Sequence, residues 1–404
     1  MHLLRRPRLA LLFAGGALNQ IGSWASLIAV WGFAAYRFHS SPAQVALLGL
    51  AWTAPGAVFS VASGWPIDRF GPRVVMIASD LVGMVTAVAM AASTTYRALL
   101  LLAIAAGTVE AFGRPAGMSL PPRIVDDEDL LAANSLMGMT EQSAIVFGPL
   151  VASAAISWWG LRAAFLVDAA TFVVGIVVLA PLRLKPLQRS AERPPPTLSD
   201  LGAGFHLAWR VGEIRRTLLL SLAVFCSWGA FMVIEPLYVR DVLHRSPATL
   251  GYLQTAFGIG LLGTTALLPR LGDRIVSVRM LAASALASGL AAALYVGTRL
   301  VAVAAVGVFL WGVITAFFMP PMQTLLQRSA PVESHGRLMA ASGTVNGLAN
   351  LVAIPLGGLL VGAVGVGGTG MVVGLVLVAA GAAGWWSGQP RRLNNSSSAP
   401  ARAG

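Results

Sequence analysis

The sequence predicts an all-α membrane protein in which twelve transmembrane helices form two pseudo-symmetric six-helix bundles. Composition is the first observation behind this expectation. Of 404 residues, 56% are hydrophobic and only 11% charged, with a mean hydropathy of +0.75, far from the balance of a water-soluble domain. The second is the recurrence of uncharged runs long enough to cross roughly 30 Å of hydrocarbon. The third is an internal repeat with an offset of 205 residues.

In chain order, the first six runs lie at 9–35, 44–64, 74–94, 98–118, 130–159 and 163–182. A polar gap follows. Six more lie at 217–239, 250–271, 278–296, 300–322, 338–364 and 369–386. In lipid every backbone polar group must find a partner within the protein, and runs this long and rich in Ala, Leu and Gly do so as helices. The basic start of the first run (Arg5, Arg6, Arg8) also fits a signal peptide, but its length and its counterpart in the second half favour a retained span.

The repeat supports the same division. Asp68-Arg69 and Asp273-Arg274 are 205 positions apart, as are Pro115 and Pro320, and Arg123 and Arg328; Gly148-Pro149-Leu150 and Ile354-Pro355-Leu356 are 206 apart. The expected domains are an N-terminal bundle (1–182), a linker (183–216), a C-terminal bundle (217–387) and a disordered cytoplasmic tail (388–404). The linker is basic and broken by Pro194-Pro195-Pro196. Ser199-Asp200 ahead of Leu201, Phe205 and Ala208 then predict a capped helix lying on the membrane surface.

The net charge of +12 raises nucleic-acid binding as a possibility, and the placement of the charge removes it. Counting alternate loops, 22 of the 28 Lys and Arg residues fall on the side of the N-terminus and six on the other. The positive-inside rule therefore predicts cytoplasmic termini in a multi-pass protein of the cell membrane. Cys226 is the single cysteine, so this chain alone builds no disulfide or thiolate cluster. The five histidines (His2, His39, His206, His244, His335) fall in loops or tails, leaving no support for a metal site or a histidine relay. Neither a P-loop nor a nucleophile elbow is present, so no cofactor and no enzymatic activity are expected.

The loop between the second and third spans reads Gly64-Trp65-Pro66-Ile67-Asp68-Arg69-Phe70-Gly71-Pro72-Arg73. Gly64 permits close helix approach, Gly71 permits the turn, and the acid with its arginines can pair at the rim. The stretch resembles the G-x-x-x-D-R-x-G-x-R signature of the major facilitator superfamily at all five fixed positions. Its second-half copy keeps Asp273 and Arg274, with Pro269, Val276 and Val278 at the remaining three positions. In the fifth span, Ser135, Ala144, Gly148, Pro149, Ala152 and Ser153 have the spacing of that superfamily's antiporter motif; Gly148 and Pro149 are identical to it and the other four are small. Three further stretches are similar to the branch containing macrolide-efflux and enterobactin-exporter-like proteins. They are the segment from Arg114-Pro115-Ala116 through Leu120-Pro121-Pro122 to Asn134-Ser135-Leu136, Leu237-Tyr238-Val239 ahead of Gly251-Tyr252, and Gly336-Arg337.

The resemblance implies the major facilitator fold and alternating access, with proton entry driving export of small amphipathic molecules such as an antibiotic, natural product or siderophore. Two alternatives stay open: proton-coupled uptake of a nutrient, and a transport-inactive sensor on the same fold. A monomer is expected. By the same resemblance Asp68, Arg69 and Arg73 lock the two halves at the cytoplasmic rim; a loop that only sets topology is the plainer reading.

Acids inside a bilayer are costly and so become functional candidates. Glu110 lies roughly 18 Å along the fourth span, near mid-membrane, with Arg114 one turn away on the same face. It is a candidate for proton coupling or substrate contact, or one half of a structural ion pair. Glu141 is similarly deep in the fifth span, where a structural hydrogen bond is an equal alternative. Asp80 and Asp168 lie about 10 Å from a span end, where snorkelling or a packing hydrogen bond is expected, and Glu235 is expected at the outer rim. Asn19, Gln20, Ser23, Trp24 and Trp31 on the first span, with Trp228 and Trp311, could line a ligand cavity; for each Trp, interface anchoring or packing is the alternative. The acidic run 126–129 suits the N-terminus of the fifth span.

Overall fold

The computed structural model describes residues 6–59, 62–182, 184, 198–331 and 334–387. The Pro-rich part of the linker and the tail at 388–404 lie outside these residues. In the first half, Pro7–Gly32 (α1), Pro42–Phe59 (α2), Gly64–Phe70 (α3), Pro72–Ala92 (α4), Tyr96–Met118 (α5), Pro121–Ile124 (α6), Leu130–Trp159 (α7) and Leu161–Leu179 (α8) follow in order. Leu198–Arg210 (α9) precedes the second half. There Gly212–Leu237 (α10), Pro247–Thr265 (α11), Val278–Val296 (α12), Val301–Ala316 (α13), Met319–Arg328 (α14) and His335–Ser387 (α15) complete the chain.

Among the described residues, ten helices are long and apolar enough to cross a membrane. Two facts relate this number to the twelve expected spans. The 53-residue α15 bends at Gly365 into arms at 335–364 and 366–387, and α11 is not among the ten. The backbone chemistry of the termini is legible locally. Proline opens α1, α4 and α11, where its missing N–H costs no helical bond, and Thr95 and Ser277 cap α5 and α12 by accepting from the backbone N–H three residues on.

The two halves pack alike. In the first, α1 packs on α7 and α8, α4 on α5 and α8, and α2 on α5; in the second, α10 and α12 pack on α15, α12 on α13, and α11 on α13. The halves meet where α7 packs on α11 and α2 on α15. Added Cβ atoms at Gly251 and Gly258 of α11 would stand 2.7 Å from the Pro149 carbonyl oxygen and 2.8 Å from that of Ile145 on α7. Only a residue without a side chain allows this approach.

Two further details obey the 205-residue offset. Helix α1 runs into a π-helical turn at Phe33–Arg37 and α10 into one at Tyr238–Val242, and the histidine just beyond each has a positive φ (His39 45°, His244 52°). Gly160, which turns α7 into α8 at φ 82°, ψ 173°, corresponds to Gly365 at φ 75°, ψ 173°. This backbone region is open to glycine almost alone. Gly365→Ala is therefore expected to lower stability by about 1–3 kcal/mol, read as an earlier thermal transition of the detergent-solubilised protein.

Glu235 lies in the last turn of α10, ahead of its π-helical extension, and is buried among its neighbours at 5% exposed. Its carboxylate accepts from the Gln254 side chain of α11.

Candidate functional site

A cavity of about 990 Å³ lies among α1, α4, α5, α7 and α8. Among the described residues, the second half supplies only Leu262, Thr265 and the neighbouring Ala266 at the end of α11. Asn19, Gln20, Ser23 and Trp24 line it, as do Glu110, Arg114 and Glu141. Trp31, Trp228 and Trp311 are not in this lining. Trp31 is 5% exposed in the core, and Trp311, 3% exposed, meets Phe231 edge-on at 4.5 Å. Trp228 packs beside Phe225 at 5.2 Å.

Glu110 presents its carboxylate to the cavity, where Trp52 also lies on the wall. Arg114 sits one helical turn away, and its guanidinium lies 3.6 Å from Glu141 across the α5–α7 gap. The ion pair therefore joins Arg114 to Glu141.

Sequence reasoning gave Asp80 and Asp168 a minor place, yet both line the cavity. They are 6% and 4% exposed, so of the two roles expected of them the packing hydrogen bond is formed and snorkelling is not. The Asn19 amide donates to Asp80 at 2.9 Å, and Ser26 donates to Asp168. Facing glycines make room: an added Cβ on Gly175 would stand 2.7 Å from Asp80 Oδ2, and one on Gly22 2.7 Å from Asp168 Oδ1. Among the described residues, those same two oxygens have no donor in hydrogen-bonding geometry. Asp168 lies within electrostatic range of both Glu110 and Asp80.

The helix-packing pair of α7 also borders the site. Gly148 is buried against Trp24, and a Cβ there would stand 3.2 Å from the Ile21 carbonyl. Pro149 lies inside the same helix, also buried.

The rim motif occupies the end of the bundle where α1 and α10 begin, here the near end. Gly64 opens α3, and Gly71 (φ 81°, ψ 153°) turns α3 into α4. Arg73 donates to the carbonyls of Leu179 and Ala180 at the C-terminus of α8, so it ties α4 to α8 inside the first half. Arg69 lies 5.5 Å from the Trp65 ring centroid and 5.6 Å from that of Phe70. Among the described residues Asp68 is exposed without an ion pair and Arg274 has none either, while Asp273 pairs with Arg328 at 2.7 Å. The expected lock of Asp68, Arg69 and Arg73 across the halves is not formed in this conformation. Contact moves instead to the far end. There Tyr36 donates to the Arg245 carbonyl at 2.6 Å, Arg240 to the carbonyls of Ala35 (2.9 Å) and Ser40 (3.2 Å), and Ser153 to that of Ala248 at 2.9 Å.

With this geometry in place, the chain matches the family model of the Major Facilitator Superfamily over residues 12–238 and 217–403. The chain belongs to the major facilitator superfamily. This facilitator is 24% identical over 383 residues to "Uncharacterized MFS-type transporter YfiS" of Bacillus subtilis, with 92% of this chain and 90% of that protein covered. It is 21% identical to "Macrolide efflux protein A" of Streptococcus pyogenes over 91% and 92% of the two chains, and 25% identical to "Multidrug efflux pump Tap" of Mycolicibacterium fortuitum over 93% and 94%. Among solved structures it is similar in fold to nucleoside transporter NupG (TM-score 0.70, 15% identity, 96% and 98% covered). A bacterial homolog of the human lysosomal transporter Spinster, solved inward-facing and unoccupied, gives a TM-score of 0.69 at 16% identity over 95% and 93%.

Proposed function

We propose that this facilitator exports amphipathic small molecules from the cytoplasm by alternating access, with protons entering in exchange. The observation that carries the reading is the open-sided cavity with Glu110 on its wall, held in a bundle whose halves are joined by hydrogen bonds at the far end. Taken with the arginine-rich near end as cytoplasmic, this is an inward-facing state. The efflux proteins among its relatives support the direction of transport.

In this reading the chain is a monomer of twelve crossings in the cell membrane, with both termini cytoplasmic and bundles at 1–182 and 217–387. Glu110 and Glu141, with Arg114, handle the proton or the cargo; Asn19, Gln20, Ser23 and Trp24 contact the cargo. Asp68, Arg69 and Arg73 close the near end when the far end opens, which is why their partners in the second half are absent in this state. Gly148 and Pro149 hold α7 close to α1 throughout.

The test is accumulation of dye and antibiotic panels in cells expressing the protein, with and without a protonophore. Lower accumulation, abolished by the protonophore and by Glu110→Gln, is expected. Raised accumulation would replace export with uptake, and unchanged accumulation across the panel would favour a sensor.

A further inference from the structure

We infer that the junction of α9 with α10 is a binding site for an anionic phospholipid, formed by Arg210, Arg215 and Trp209. The inference goes beyond the export reading and is independent of cargo and coupling ion; it shares only the placement of the near end in the cytoplasmic leaflet.

Only Val211 separates the two helices, and its extended backbone (φ −89°, ψ 106°) breaks the helical run. Helix α9 therefore leaves the axis of the span that starts at Gly212 and packs on α10 and α15. The helical period gives it three faces. Ala208 is buried in a cluster with Ile214 and Leu338, against which Leu207 also packs. Phe205 and Trp209, one turn apart, share a second face and are exposed, Trp209 to 67%. His206 and Arg210, also one turn apart, share an exposed third.

Large exposed rings are a liability in water and are favoured at the level of lipid headgroups. The surroundings set that level. Near the start of α10, Arg216 donates to the Ser387 carbonyl at the end of α15, where Trp385 and Trp386 are exposed. Exposed indoles thus mark the near ends of both spans, as at a membrane interface.

From 201 to 216 the charged residues are Arg210, Arg215 and Arg216 against Glu213. Glu213 accepts from the Ser329 hydroxyl, and Arg216 is committed to the carbonyls of Gly212 and Ser387. Arg210 and Arg215 are exposed and, among the described residues, have no ion pair. The Arg215 guanidinium lies 5.9 Å from the Trp209 ring centroid, which holds it beside the indole. Two uncompensated guanidinium groups next to interfacial rings suit a phosphodiester whose acyl chains cover those rings. A zwitterionic headgroup brings an ammonium that the arginines repel, and a free phosphate leaves Phe205 and Trp209 uncovered.

Binding of phosphatidylglycerol and phosphatidylcholine to the purified full-length protein in detergent, counted by native mass spectrometry, tests this. Phosphatidylglycerol is expected to bind at least about fivefold more tightly. Arg210→Ala combined with Arg215→Ala should weaken it by about tenfold or more, and Arg210→Lys combined with Arg215→Lys should retain most of the affinity. Arg270→Ala combined with Arg279→Ala removes the same charge from exposed near-end positions outside the junction and should change the affinity less than about twofold. Size-exclusion behaviour and helical content show that each variant is folded. An equal loss in both alanine pairs would reveal diffuse attraction to a basic rim and overturn the inference. Equal binding of the two lipids, an affinity unchanged in the Arg210 and Arg215 pair, or displacement of the lipid by soluble glycerol phosphate would overturn it as well.

Discussion

Arg240→Ala is expected to unlatch the far end of the bundle. Its guanidinium donates to the carbonyls of Ala35 at 2.9 Å and Ser40 at 3.2 Å, both in the opposite half. Hydrogen bonds from a charged donor contribute about 1.5–3 kcal/mol each. Asp241 holds the guanidinium by two contacts, at 2.6 and 2.8 Å, which fixes its direction before the halves meet. Losing the pair of interhalf bonds should therefore shift the equilibrium between closed and open far ends by about tenfold or more. Ser40, 1% exposed, supplies the reporter. In a Cys226→Ala background, Ser40→Cys should react slowly with a membrane-impermeant thiol reagent and at least several-fold faster once Arg240→Ala is added. An unchanged labelling rate would show that the latch does not hold the far end closed.

Gly148→Val should have an effect of similar size on a different quantity. The new Cβ would collide with Trp24 and stand 3.2 Å from the Ile21 carbonyl, and neither helix backbone can retreat cheaply. Overpacking of this kind costs about 1–3 kcal/mol or more. It also pushes Trp24, which lines the cavity, out of position. The expected result is a protein that reaches the membrane with a lowered melting temperature and little energised export. Gly148→Ala, with a smaller added volume, should show an intermediate loss. Normal export by the valine variant would mean that the close approach of α1 and α7 is dispensable.

Much of the fold was legible because bilayer physics writes it in long uncharged runs, and because the 205-residue offset ties one half to the other. The same offset relates the π-helical turns, Phe33–Arg37 to Tyr238–Val242, and His39 to His244. Composition carries no mark of a π-turn, but comparison of the two halves at that spacing would have flagged the paired histidines. Glu110 and Glu141 stood out as acids far from any span end. Asp80 and Asp168 did not, because distance from a span end says nothing about how far a cavity reaches. Their partners, Asn19 and Ser26, come from another helix 61 and 142 residues away in the chain. Of the four candidate tryptophans only Trp24 lines the cavity, and the other three failed as markers for a related reason. With apolar residues on every face of these helices, the sequence does not say which face holds Trp311, and the Phe231, Phe257 and Tyr295 rings enclose it.

The cavity wall draws almost entirely on one half of a molecule whose halves share a plan. Such a lopsided arrangement divides labour between duplicates that began as equals. If the cavity is the cargo site proposed above, one copy keeps the chemistry of choosing a passenger, and the other serves as the jaw that swings against it. Sequence change in the second half would then alter the tempo of transport more readily than its selectivity, leaving that half freer to diverge.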